Sequence, residues 1–218
     1  SYYNENHIGT SLNKVRELLD MAIKNNDEEM RINSLELIGH NLMELKEYDN
    51  AIKNNKEAAD RAIKMFYENP TFRPFDKSTV ACNSLIINLA ALKRYAETEK
   101  YIQELVAILE KGKNIKFPSE KYYDIRLWSS YKTIMEIYHS MKKKKEYEKY
   151  RILSEATQTA KLPENRAFYF AYNLDQKNYK QAWNDIVNLR QYFVEKRDTV
   201  CNDFLSYVLK NELIYHYE

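Results

Sequence analysis

At 218 residues the chain can bury a substantial core, yet its three glycines and four prolines are too few for the hairpins and tight βα turns of a sheet-rich fold. A hydrophobic share of 44% argues against disorder, and 34 basic against 32 acidic side chains leave a net charge of +2, without the basic excess that nucleic-acid binders rely on. No apolar run approaches the roughly 18 to 20 residues of a bilayer-spanning helix.

Hydrophobic spacing predicts helix after helix. The first runs from about Thr10 to Lys24, with Leu12, Val15, Leu19, Ala22 and Ile23 on one stripe. Asn25, Asn26 and Asp27 end it, and Asp27 followed by two glutamates reads as the N-cap and acidic first turn of the next. The second helix carries Leu35, Ile38, Leu42 and Leu45 on one face; the third starts near Tyr48 and continues through Ala51, Ala58, Ala59 and Ala62 towards Phe66. Pro70 and Pro74 predict a long loop over 69–74, with the fourth helix starting near Ser78 or Thr79 and holding Leu85, Leu89 and Leu92. A fifth covers Tyr95 to Lys111, with Gly112 placed as its cap.

Ser119 and Glu120 open a sixth helix that reaches Met141, and a seventh runs from Lys145 to Thr159. Leu162-Pro163-Glu164 separates it from an eighth with Phe168, Tyr169, Tyr172 and Leu174. A ninth follows from Tyr179, and Asp198-Thr199 opens a tenth. Ten helices joined by short turns predict five hairpins, and no shift in composition marks a linker, so one all-α domain over 1–218 is expected. The chain begins at Ser1 rather than at a methionine, as a piece of a longer protein would, and any signal peptide, anchor or further domain would then lie outside it.

An internal repeat runs through these helices. Leu35-x-x-Ile38-Gly39-x-x-Leu42, then Tyr48-x-x-Ala51, then Ala58, sets small residues where two antiparallel helices must approach and large ones around them. This resembles a tetratricopeptide repeat. Cys82, Leu85, Leu89 and Tyr95 keep the spacing, with Ile86 in place of the glycine and Thr98 of the alanine. Ile134, Ile137, Met141 and Tyr147 follow, with Tyr150 where the alanine would fall, and Tyr179-x-x-Ala182 restores the turn side. Tyrosines 48, 95, 147 and 179 are 47, 52 and 32 residues apart, and only the last spacing is near the family's period of about 34. An irregular helical bundle is the alternative.

Chemical motifs are sparse. Of His7, His40, His139 and His216 none pairs with another at helical spacing; Glu136-x-x-His139 has the spacing of di-iron bundles but lacks the second copy such a site needs. Three isolated glycines cannot form a phosphate loop, and Cys82 and Cys201 read as buried thiols, so neither cofactor nor metal nor catalysis is expected. Lys142 to Lys145 form the one basic run and read as a solvated corner between helices. The 19 tyrosines, among them Tyr101, Tyr122, Tyr123, Tyr131, Tyr138, Tyr147, Tyr150, Tyr169 and Tyr172, suit either recognition or the filling of gaps between helices.

The resemblance implies a superhelical antiparallel helix-hairpin solenoid in which the first helix of each pair lines a concave groove for a protein or peptide partner. The candidate partner-binding residues on those helices are Glu36 and His40, Asn83 and Ile87, then Lys132, Met135 and His139. This mixed set differs from the Lys- and Asn-rich clamp with which some members of that family hold a C-terminal carboxylate. The expected function is a non-enzymatic scaffold, in the form of a sensory or regulatory segment of a bacterial signalling or transcription-regulating protein. It is expected in the cytoplasm, or in the periplasm if the chain is part of a membrane-anchored regulator. Two other readings stand beside it: a nucleic-acid-binding helical repeat, with basic residues on the concave side, and a small-molecule or enzyme site buried between helices.

Overall fold

The computed structural model describes residues 2–162, 165, 166, 168–170, 173 and 177–196. Among them every regular element is a helix. They are α1 (Tyr2–Lys24), α2 (Glu28–Glu44), α3 (Tyr48–Glu68), α4 (Phe72–Ala91), α5 (Tyr95–Gly112), α6 (Glu120–Ser140), α7 (Lys144–Glu155), a 3₁₀ turn at Thr159–Lys161, and α8 (Tyr179–Lys196). Phe168, Tyr169 and Phe170 are helical too, whereas Pro163, Glu164, Tyr172, Leu174, Cys201, His216 and the expected tenth helix lie outside the described residues. No described helix is long and apolar enough to cross a membrane. The chain divides into two compact units, Ser1–Arg151 and Ile152–Glu218.

In the first unit the helices stack in chain order as antiparallel neighbours: α1 on α2, α2 on α3, α3 on α4, α4 on α5. Helix α6 packs on both α4 and α5, so the first helices of adjacent hairpins lie side by side, as in a helical-hairpin repeat solenoid. Close packing follows from the small residues of α3. Ala51, Ala58, Ala59 and Ala62 are fully buried, and a methyl added at Gly39 would sit 1.9 Å from Asn55 Oδ1. Leu12 and Val15 of α1 cover Ile38, Leu42 and Ala51. Asp27 caps α2 as expected, accepting the Met30 amide at 2.9 Å.

The hairpin turns share one device that sequence reading missed. Asn26, Lys46, Lys93, Lys142 and Lys177 all have φ between 53° and 62°. After each of the first four the next amide reaches back five residues, as Glu47 N–H does to Leu42 C=O (2.9 Å) and Arg94 N–H to Leu89 C=O (2.9 Å), the Schellman closure usually made with glycine. These residues define the register. Leu35, Ile38, Gly39 and Leu42 before Lys46 correspond to Cys82, Leu85, Ile86 and Leu89 before Lys93, and to Tyr131, Ile134, Met135 and Tyr138 before Lys142. All twelve positions are buried. The third repeat expected on Ile137, Met141 and Tyr147 is therefore shifted by three residues: Lys144 stands where Tyr48 and Tyr95 stand, and buried Tyr147 occupies the place of Ala51.

Two other expectations are corrected. Helix α4 starts at Phe72, not near Ser78, because Pro74 lies in its first turn, where a missing N–H costs nothing. Gly112 is the last residue of α5 without a left-handed φ; its role is room, since an added Cβ would lie 2.3 Å from the Phe75 ring. Phe75 stacks edge-on with Phe66 and Phe117, sealing this end of the stack. Several of the tyrosines fill gaps: Tyr101, Tyr131, Tyr138, Tyr147 and Tyr150 are all under 8% exposed, whereas Tyr48, Tyr67 and Tyr179 are exposed.

In the second unit, α8 buries Ala182, Ile186 and Leu189. Its buried Asp185 accepts from Asn173 Nδ2 at 2.9 Å and from Arg166 Nε at 3.0 Å, which satisfies the carboxylate. Tyr169 OH meets Ser154 Oγ at 2.6 Å.

Candidate partner-binding face

Side-chain hydrogen bonds run across the first helices of the three hairpins in the Ser1–Arg151 unit. Lys77 of α4 donates to Asn33 Oδ1 of α2 at 2.5 Å. Asp76 Oδ1 accepts from Arg126 of α6, through Nη2 at 2.5 Å and Nε at 2.7 Å, and from Tyr122 OH at 3.1 Å. Asn83 Nδ2 donates to Ser130 Oγ at 2.9 Å, again joining α4 to α6.

Glu36, Asn83 and Lys132 fall at one repeat position, ten residues before the left-handed lysines 46, 93 and 142. The sequence reading brought these three together, and each behaves differently. Glu36 is mostly buried beside α4: lost hydration raises its pKa to about 7, with Lys77 opposing the rise and Asp76 adding to it. Asn83 keeps a buried Oδ1 that accepts no hydrogen bond. Lys132 holds Glu136 at 2.9 Å on its own helix. Four residues further along, His40 and Ile87 are exposed, Ile87 by 49%, and Glu136 takes that place on α6. Met135 corresponds to Gly39 and Ile86 and is 1% exposed, so it belongs to the core and not to this face. His139 is exposed, its ring 5.5 Å from Tyr147.

No protein-family model matches the chain, and no curated protein matches it. Geometry and chemistry alone describe this face. Burial pushes the Cys82 thiol up, so that it stays protonated within the α4 core. Among the described residues no group of three or more His, Cys, Asp or Glu converges as metal ligation would need. The face offers a carboxyl that titrates near neutrality and a partly apolar border at Ile87. Asn33, Asp76, Lys77, Arg126 and Ser130 carry no expectation in the sequence, and Tyr122 stands there only among the tyrosines suited to recognition or to filling gaps. Asp76 and Lys77 are hidden because the two prolines read as a loop over 69–74 and the helix is expected only from Ser78 or Thr79. Tyr122 and Arg126 did carry a signal, the four-residue spacing that places them on one side of α6.

Proposed function

We propose that the chain is a non-enzymatic, tetratricopeptide-like scaffold that binds a protein or peptide along the first helices of its hairpins, α2, α4 and α6. One observation carries this reading: side chains of α2, α4 and α6 are joined across the row by Lys77–Asn33, Asp76–Arg126 and Asn83–Ser130, and Ile87 of the middle helix stays 49% exposed beside them. The repeat spacing around Gly39 and the side-by-side packing of α4 and α6 support it. On the strength of the repeat resemblance alone, the scaffold is the sensory or regulatory segment of a larger bacterial signalling protein.

The test is selection of binders from a random peptide library on the intact chain, followed by mapping of the bound peptide by amide exchange. Protection on α2, α4 and α6, with affinity falling at least tenfold in Asn83→Ala and in Ile87→Asp, is the expected result. Peptides that protect other helices, or whose affinity ignores both substitutions, would overturn the reading.

A further inference from the structure

Helix α2 has a second face. Arg31, Leu35, Ile38 and Leu42 lie about half a turn round the helix from Glu36 and His40, and on that side α1 and α3 stand apart. The gap is a cleft of about 440 Å³, within the range of ligand pockets. Its apolar lining comes from Leu19 and Ile23 of α1 and from Leu35, Ile38 and Leu42 of α2, while Asn50, Lys53, Asn54 and Glu57 of α3 form the opposite wall.

The repeat explains why the cleft is open. One hairpin on, between α3 and α5, Tyr101 reaches across and donates its hydroxyl to Asp60 at 2.7 Å, while Lys56 pairs with Glu97 at 3.7 Å. Tyr101 stands eight residues after the turn lysine Lys93, and Tyr150 holds the same place after Lys142, packed between Tyr131 and Tyr138. In the first hairpin that place belongs to Asn54, whose amide turns back to the Asn50 carbonyl at 2.8 Å. An aromatic ring that two repeats supply from within is missing from the first.

The charges around the gap point one way. Arg16, Arg31 and Lys53 line it, against a single acid, Glu57, among the described residues. Glu57 is already shared by Arg31 at 3.1 Å and Arg61 at 2.9 Å. Arg16 and Lys53 have no acidic partner among the described residues, and the buried Nε of Arg31 donates to nothing.

We propose that the α1–α2–α3 cleft is a binding site for an acidic peptide segment, which inserts one aromatic side chain where Tyr101 and Tyr150 sit in the later repeats and sets flanking carboxylates against Arg16, Lys53 and Arg31. The occupant replaces the absent ring with its own, burying apolar area on Leu19 and on Ile23, which is 46% exposed, and its carboxylates meet Arg16 and Lys53, which have no acidic partner among the described residues, and the undonated Nε of Arg31. The site is on the far side of α2 from the Asn83 row and stands independently of it.

Fluorescence anisotropy of the full chain with a labelled pentapeptide, one phenylalanine flanked by two aspartates on each side, tests this. Saturable binding is expected. It should weaken at least tenfold in the Arg16→Glu/Lys53→Glu variant, in Asn54→Tyr, and when the phenylalanine is replaced by alanine, and should be unchanged in Asn83→Ala. The two reversed cations are exposed, so that variant keeps its fold even if Asn54→Tyr does not. Absence of binding overturns the proposal. So does an affinity indifferent to the phenylalanine or to charge reversal, and so does a folded Asn54→Tyr variant that binds as the parent does. Loss of binding in Asn83→Ala alone would instead assign the peptide to the α2–α4–α6 row and overturn the cleft.

Discussion

Gly39 shows how a single position ties the repeat to the packing. In mid-helix a glycine costs about 0.5–1 kcal/mol relative to alanine, so Gly39→Ala should stabilise if nothing stood in the way. Asn55 stands in the way, with Oδ1 1.9 Å from the added carbon, and Asn55 is itself 2% exposed with its Nδ2 unpaired. Gly39→Ala is therefore expected to destabilise by about 1–3 kcal/mol. In an Asn55→Ala background the sign should reverse, to a gain of about 0.5–1 kcal/mol. Urea denaturation of the four-member cycle checks this, and additive effects would rule out the proposed clash. Glu36 gives a second prediction at this scale. Its folded pKa of about 7 lies above the unfolded value, so folding favours the protonated acid. That contribution is complete below about pH 4.5 and is lost as the pH rises through 7. Glu36→Gln should match the parent near pH 4.5 and exceed it by on the order of 2–3 kcal/mol at pH 8. Parallel stability profiles for the two proteins would place the titration elsewhere.

Among the elements, what could be read from the sequence was whatever local chemistry dictates. The Asp27 cap, the start of α3 at Tyr48, of α5 at Tyr95, of α6 after Ser119 and of α8 at Tyr179 all follow from caps, turns and apolar periodicity. What escaped depended on geometry that residue type does not announce. The turn residue that adopts a left-handed φ is a lysine four times over, where glycine or asparagine is the usual sign. Without that marker, Tyr147 reads as the turn tyrosine and the third hairpin slips by three residues, which carries Met135 into the candidate site and leaves Glu136 out. The cleft escaped for a similar reason, since its signature is an asparagine where aligned repeats have tyrosine, visible only once the register is right. The lysines also make a prediction. A left-handed non-glycine residue costs about 1–2 kcal/mol, partly offset by glycine's greater freedom in the unfolded chain. Lys46→Gly and Lys93→Gly should each stabilise by about 0.5–1 kcal/mol, read as a raised urea midpoint at unchanged slope. Lys56→Gly, inside α3, should do the opposite. Equal losses at all three sites would show that the turns gain nothing from relief of strain.

At the scale of the Ser1–Arg151 unit, each helix rests on its neighbours in the stack, and contacts that skip a helix join α4 to α6, α2 to α4 and α3 to α5. Such an arrangement behaves as a chain of coupled layers, in which stability is a sum of repeat and interface terms and not one all-or-none core. Helix α1 is held through Leu12 and Val15 against Ile38, Leu42 and Ala51, it lacks the tyrosine bridge that joins α3 to α5, and Leu18, Met21 and Ile23 remain exposed on it. Leu12→Ala removes about 2–4 kcal/mol of packing at that one interface. Native-state hydrogen exchange should then speed up strongly in α1 and moderately in α2, while the amides of α5, three interfaces away, exchange as in the parent. A uniform acceleration from α1 to α5 would mean that the unit opens as a single cooperative block. An acidic aromatic peptide seated between α1 and α3 would tie those helices together as Tyr101 ties α3 to α5, so the pentapeptide should slow exchange in α1 beyond the parent's own rate. That protection would have to vanish in the Arg16→Glu/Lys53→Glu variant, because a bridge built on those two cations cannot survive their reversal.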